Sequence, residues 1–256
     1  MLQKNERALT QERILTFGEM GSGKSNGWAN IRKWYEMTDT PGHFYIVSTE
    51  WAMAHRTAEG YLDGTPGNNF FSNASIVEAW DYESLVAAHD EVATKAGAED
   101  WIVIDSVTNH WQWVQDAYAM RHFGGVTMQE HRAEGGRGEV NWQKVNSDYR
   151  NLVLPIFTRH PAHVYACAQG DTVKSDGIWK DSKEVQQMFG RFGIKPVGQK
   201  QLGYQFHTVL LMKHPSKDEW TFTTVDDPSR EKKTGEIISE FTMSYLLQVA
   251  GWQVVD

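Results

Sequence analysis

Residues 18–25 read Gly18-Glu19-Met20-Gly21-Ser22-Gly23-Lys24-Ser25, a glycine-rich loop closed by a lysine and a serine. Gly18, Gly21 and Gly23 let the backbone wrap closely round an anion, so that consecutive N–H groups point at it. A helix beginning at Lys24 adds its own free N–H groups and the positive end of its dipole. Lys24 can then reach the outer phosphates of a polyphosphate, and the Ser25 oxygen can ligate a divalent cation. The apolar run Ile14-Leu15-Thr16-Phe17 precedes the loop, and the helix-compatible stretch Asn26 to Met37 follows it. That strand–loop–helix setting is what the motif needs. It predicts a nucleoside triphosphate site spanning Gly18 to Asn26.

A second group sits at the end of Trp101-Ile102-Val103-Ile104-Asp105. A short apolar run ending in an acid reads as a buried parallel strand that delivers a carboxylate to its C-terminal edge. Ligands of open α/β sheets bind at that edge. Asp105 is therefore expected to hold a Mg²⁺ ion together with Ser25. A core strand capped by a solvated Asp is the other reading.

The elements that must position these groups follow from the alternation of apolar runs and helical patterns. Strands are predicted near 13–17, 43–48, 75–80, 101–105 and 163–168, with helices near 24–37, 82–96, 108–120 and 142–158. Strand and helix in strict alternation imply a parallel sheet with right-handed crossovers. After residue 170 the texture changes. Residues 172–180 resemble a hairpin across Ser175-Asp176-Gly177. Residues 204–213 and 218–225 read as two strands joined by Pro215-Ser216-Lys217, and a helix over 240–250 stops at Gly251. The expected fold is an α/β, mainly parallel sheet flanked by helices, with a C-terminal antiparallel extension, in one domain over 1–256. Segments 121–141 and 170–200 show little periodicity and read as long loops near the nucleotide edge.

Composition narrows the classes. With 256 residues, 40% hydrophobic and 23% charged, the chain can bury a proper core. Its net charge of −8 argues against a general electrostatic grip on DNA, leaving room only for a local basic patch. The single cysteine, Cys167, excludes an intramolecular disulfide and a cysteine-ligated zinc. No apolar stretch approaches membrane-spanning length, and Met1 to Arg7 lack a signal peptide's apolar core. A soluble, cytoplasmic protein without membrane partners is expected.

Taken in order, the loop at 18–25, the acid-ending strand 101–105, Gln169 at the end of strand 163–168 and the strand pattern from Gln201 to Met212 resemble a RecA-like core P-loop ATPase. The likeness is greatest to short phage recombination ATPases, which act in single-strand annealing. It spans roughly residues 12–225. The resemblance implies ATP and Mg²⁺ as cofactors, ATP hydrolysis, single-stranded DNA as partner, a homo-oligomer, and a single-strand-binding protein as a candidate partner. It places Glu50, after Phe44-Tyr45-Ile46-Val47-Ser48-Thr49, where the family keeps the acid that orients the attacking water. Gln169 falls where the family senses the γ-phosphate. Lys200, with Lys195 second, falls where family members send a lysine into a neighbour's site, as an arginine finger does. Each has a plainer reading: a helix-start Glu, a polar strand-end Gln, solvated lysines.

The chain also departs from the family. It shows no obvious oligomerisation strand ahead of residue 13, unlike full recombinases. Arg121, Arg132, Arg137 and Lys144 in or beside 121–141 are diluted by Glu130, Glu134 and Glu139. In 170–200, Lys174, Lys180, Lys183, Arg191, Lys195 and Lys200 face Asp171, Asp176, Asp181 and Glu184, a weak net patch. Phe123, Trp179, Phe189 and Phe192 can stack on unpaired bases or anchor the loops. Two other functions stay open: a nucleotide kinase with 121–141 as its lid, and a non-catalytic ATP-dependent switch.

Overall fold

The computed structural model describes residues 1–4, 10–50, 73–133, 135, 140–177, 180–216, 219–227, 237–239, 242–248 and 250–255. In chain order the strands are β1 (Leu2–Lys4), β2 (Arg13–Gly18), β3 (Phe44–Ser48), β4 (Ala74–Glu78), β5 (Trp101–Asp105), β6 (His163–Thr172), β7 (Ile194–Pro196), β8 (Thr208–Ser216), β9 (Glu219–Asp226), β10 (Ile237–Ser239) and β11 (Trp252–Val254). The helices are α1 (Lys24–Met37), α2 (Tyr82–Lys95), α3 (Thr108–His122), α4 (Met128–Ala133), α5 (Trp142–Leu154), α6 (Lys183–Phe189) and α7 (Thr242–Gln248).

The central sheet runs β10-β9-β8-β2-β6-β5-β3-β4, with β7 added to the end of β6. From β8 to β4 every pairing is parallel, whereas β8–β9 and β9–β10 are antiparallel. This is the expected parallel sheet with its antiparallel extension. β2 and β5 read as unbroken apolar runs because both faces are covered: Ile14, Leu15, Phe17 and Trp101 to Ile104 have no exposure. On one face, Leu15, Phe17, Ile104 and Ala166 pack with residues of α2, α3 and α5. On the other, Ile14, Val103, Tyr165 and Met212 pack with Trp28, Ile31 and Tyr35 of α1 and with Tyr245 and Leu246 of α7.

Local chemistry sets the helix starts. Asp81 and Ser84 form a capping box at α2, and Asn141 and Ser182 cap α5 and α6. α1 differs: it starts after Gly23 at φ 88° with no side-chain cap, so its first N–H groups are left for something else.

Several expected elements change on folding. Residues 172–180 do not form a hairpin among the described residues: Thr172 pairs with Ile194, and Lys174 and Asp181 merely close a turn. Segments 121–141 and 170–200 are not structureless. The first holds the end of α3 and all of α4, with Met128 buried and its N–H donating to Asp116 Oδ1 at 2.9 Å. The second holds α6, a short 3-10 turn and β7. Helix 142–158 ends as α-helix at Leu154 and continues as a wider turn over Pro155–Arg159, where proline lacks the N–H that an α-helical bond requires. Residues 204–207 lie ahead of β8 rather than in it. Ahead of residue 13 lies a three-residue strand, β1, paired antiparallel with the chain's own β11.

Candidate functional site

The C-terminal edge of the sheet gathers the chemistry. Gly18, the first residue of the loop, is level with Gln169 across the β2–β6 pair, and Asp105 is level with Cys167 of β6 and Ser48 of β3. β6 therefore lies between the loop strand and the acid strand, and its buried run ends at Ala168, where Gln169 emerges exposed. Glu50 follows two residues beyond Ser48.

The loop itself is tightly held. A Cβ on Gly18 would lie 2.2 Å from the Met212 carbonyl oxygen, and Gly21 and Gly23 have φ of 77° and 88°, so other residues are disfavoured there. Met20, at the tip, is 96% exposed. Lys24 Nζ folds back and donates to the Gly18 and Glu19 carbonyls at 3.1 and 2.8 Å and to Ser22 Oγ at 3.4 Å. Tyr165 of β6 donates to the Lys24 carbonyl at 3.1 Å and fixes the start of α1.

Asp105 is only 2% exposed. Trp28 Nε1 donates to its Oδ2 at 3.1 Å, and the Ser25 hydroxyl acts on the carboxyl from the start of α1. Burial pushes the carboxyl up from its ordinary value; the Ser25 and Trp28 bonds and the Lys24 charge offset this, while the Glu50 charge adds to it. A desolvated carboxylate beside a hydroxyl is a hard oxygen pair of the kind a magnesium ion takes, so the residues present fit such an ion. Its charge would relieve the burial cost that now raises Asp105.

Around these groups sit residues that sequence reasoning missed. Trp28 is one. Thr49 is another: its hydroxyl donates to the Ser106 carbonyl at 2.8 Å and accepts from the Ser106 N–H at 2.9 Å, while Asn109 Nδ2 donates to the Thr49 carbonyl at 3.0 Å. These bonds tie the chain before Glu50 to the chain after Asp105. Thr108 Oγ1 accepts from the Gln169 N–H at 2.9 Å. Helical periodicity could have placed Trp28 on the buried face of α1, but no local signal says which carboxylate its indole meets. Glu50, half-buried, lines a cavity of about 460 Å³ with Glu78, Trp113 and Trp80, the last 70% exposed.

The expected DNA-facing and cross-subunit residues fare unevenly. Lys195 is ion-paired with Asp181 within its own chain. Lys200 is exposed, on a cavity shared with Asn146, Arg150 and Gln205. Phe189 is buried and meets Phe17 edge-on at 5.5 Å, so it anchors its segment instead of offering a stacking face. Phe123 stacks on His131, and the Arg191 guanidinium lies over Phe192 at 4.6 Å. Arg121 covers Tyr82, Arg132 covers Trp142, and Lys144 pairs with Asp148. Arg137, Glu134, Glu139 and Trp179 lie outside the described residues. No described helix is long and apolar enough to cross a membrane.

No family model and no curated protein matches the chain. Among solved structures it is similar to the crystal structure of the RadB recombinase, with a TM-score of 0.54 and 17% identity over 97% of this chain and 92% of that one. An identity so low carries architecture alone. The chain has a RecA-like P-loop NTPase fold, with the Gly18–Ser25 loop at the C-terminal edge of a mainly parallel sheet.

Proposed function

We propose that the protein binds and hydrolyses ATP and acts on single-stranded DNA in phage-type recombination or strand annealing. The observation that carries the catalytic part is the convergence of Lys24, Ser25, Asp105 and Glu50 on one sheet edge, with Asp105 buried and held by the Trp28 indole. On this reading the N–H groups of Gly21 to Ser25 cradle the phosphates, and Lys24 leaves its own carbonyls to bind the outer ones. Ser25 and Asp105 would hold a Mg²⁺ ion, whose charge would offset that of the phosphates. Glu50 orients the attacking water and accepts its proton.

Gln169 is the coupling element. Its backbone is tied to Thr108 and its register to Gly18, and β6 runs on from it directly into the segment that holds α6 and β7. A side chain there that donates to the outer phosphate transmits its presence to 170–200, the proposed DNA-facing surface with 121–141. Because Lys195 is engaged by Asp181, exposed Lys200 is the better lysine to enter a neighbouring copy's site in a homo-oligomer.

Phosphate release measured with and without single-stranded DNA tests the reading, with nucleoside monophosphates as competing acceptors. DNA should stimulate release, and DNA affinity should be higher with ATP than with ADP. The slope of affinity against salt should be shallow, because few net positive charges are available. Phosphoryl transfer to a monophosphate would make the protein a kinase instead; DNA affinity indifferent to nucleotide would remove the Gln169 coupling. Mixing Lys24→Ala with Lys200→Ala subunits should restore turnover if Lys200 acts across an interface, and no recovery in a proven mixed oligomer would refute that role.

A further inference from the structure

Two surfaces of opposite charge stand unpaired in the chain. The first is the cavity of about 460 Å³ at the ends of β3 and β4, where Glu50 and Glu78 face Trp80 and Trp113 and no basic residue lines the wall. The two carboxylates make no hydrogen bond or ion pair with other described residues. Trp80 is 70% exposed although its backbone N–H is fixed by Ser84 Oγ at 3.0 Å, so the indole is held outward at the start of α2. Indole faces beside carboxylates attract a cation. A guanidinium suits them best, because it stacks on the ring and bonds a carboxylate at two points.

The second surface is a cavity of about 510 Å³ between α5 and the chain ahead of β8, lined by Arg150, Lys200 and otherwise only by Asn and Gln side chains. Gln143, Asn146 and Arg150 recur at i, i+3 and i+7, which puts them on one face of α5. Buried Gln199 donates to Asn146 Oδ1 at 3.1 Å and locks the facing segment to that helix. Arg150 and Lys200 are both exposed, and neither has a hydrogen bond or ion pair among the described residues. The two cavities share no lining residue, so neither neutralises the other within one chain.

We propose that these surfaces meet between copies of this chain: the Glu78–Trp80 cavity of one copy takes Arg150 of the next, with Lys200 entering alongside. The amides around Arg150 supply hydrogen bonds to the rim without adding charge. A contact between unlike surfaces leaves each copy with one of each kind, so assembly runs head to tail. Because Glu50 belongs both to this cavity and to the phosphate edge, the contact brings the neighbour's bases to that edge. The inference rests on the homo-oligomer of the reading above and on nothing else in it, so its test uses no nucleotide.

Sedimentation velocity over a concentration series compares wild type with Glu78→Arg, Arg150→Glu, their equimolar mixture and Trp80→Ala. All three positions are exposed, and circular dichroism checks that each variant folds. Each charge reversal should weaken association at least about tenfold, because like charges then meet. Trp80→Ala should weaken it about threefold to fivefold, and added salt should weaken the wild-type contact. The mixture should recover most of the loss, since the reversed cavity of one variant meets the reversed base of the other. Reversals that associate like wild type, or a mixture no stronger than its parts, would overturn the contact. Wild type that stays monomeric at every concentration would overturn it too, and an arginine-rich peptide bound through Glu78 would then assign the cavity to another protein. Phosphate release by such a monomer would leave the ATPase reading standing.

Discussion

Trp28→Phe isolates the bond that holds the buried acid. Trp28 is fully buried and its indole N–H meets Asp105 Oδ2 at 3.1 Å. Removing half the indole leaves a void of a few tens of Å³, costing about 1 kcal/mol at ~24 cal/mol per Å³. Losing a hydrogen bond to an ionised carboxylate adds roughly 1.5–3 kcal/mol, but only about 0.5–1.5 kcal/mol once the acid is protonated. The loss should therefore be about 2.5–4 kcal/mol at neutral pH and about 1.5–2.5 kcal/mol in acid. The sign follows from Asp105, whose folded value is raised by burial. Wild type gives up stability as pH climbs from the ordinary carboxylate value through the folded one. Trp28→Phe removes a bond that lowers that value, so it gives up more over the same climb, and the gap between the two widens with pH. Urea unfolding at several pH values measures it. In an Asp105→Asn background the cost of Trp28→Phe should stay at its acid-limit size throughout. A cost independent of pH in the Asp105 protein would refute the assignment of Trp28 to the carboxylate.

Lys24→Ala should lower ATP affinity or turnover by at least about tenfold, since it removes the cation over the loop; equilibrium binding and phosphate release read this out. Glu50→Gln should keep ATP affinity while turnover falls roughly a hundredfold, the scale of a lost general base. Gly18→Ala should destabilise by about 1–3 kcal/mol in urea titration, because its Cβ would enter the Met212 carbonyl. His89, buried and 2.9 Å from His110 through their Nε2 atoms, is pushed down to about 4 by burial. Its depressed value means that the stability it contributes is present above pH 6.5 and lost as pH falls from there toward 4. His89→Leu should flatten that part of the stability–pH profile.

The loop, β2, β5 and α1 were legible because their signals are local. A glycine pattern, an apolar run ending in Asp105 and a run of helix formers each need only their neighbours to be read. Glu50 and Asp105 share an edge because parallel crossovers return each strand to the same end, which alternation alone implies. What stayed hidden depends on distant partners. Ser175-Asp176-Gly177 is a good local turn signal, yet Thr172 finds its partner at Ile194. β1 is three residues long and exists by pairing with Trp252–Val254 at the far end of the chain. The Trp28–Asp105 bond spans 77 residues. Helical order within 121–141 was overlooked because α4 is only six residues long, although its start is signalled locally: Thr127 and Glu130 each accept from the other's N–H, and Asp116 of the preceding helix adds a bond to the Met128 N–H.

A crystal structure with a non-hydrolysable ATP analogue and Mg²⁺ bears on the whole site at once. The phosphates should lie against the N–H groups of Gly21 to Ser25, the metal beside Ser25 and Asp105, and Lys24 Nζ should have left the Gly18 and Glu19 carbonyls it now holds at 3.1 and 2.8 Å. Nucleotide bound elsewhere, or Lys24 still on those carbonyls with the analogue present, would contradict the assignment of this edge as a nucleoside triphosphate site.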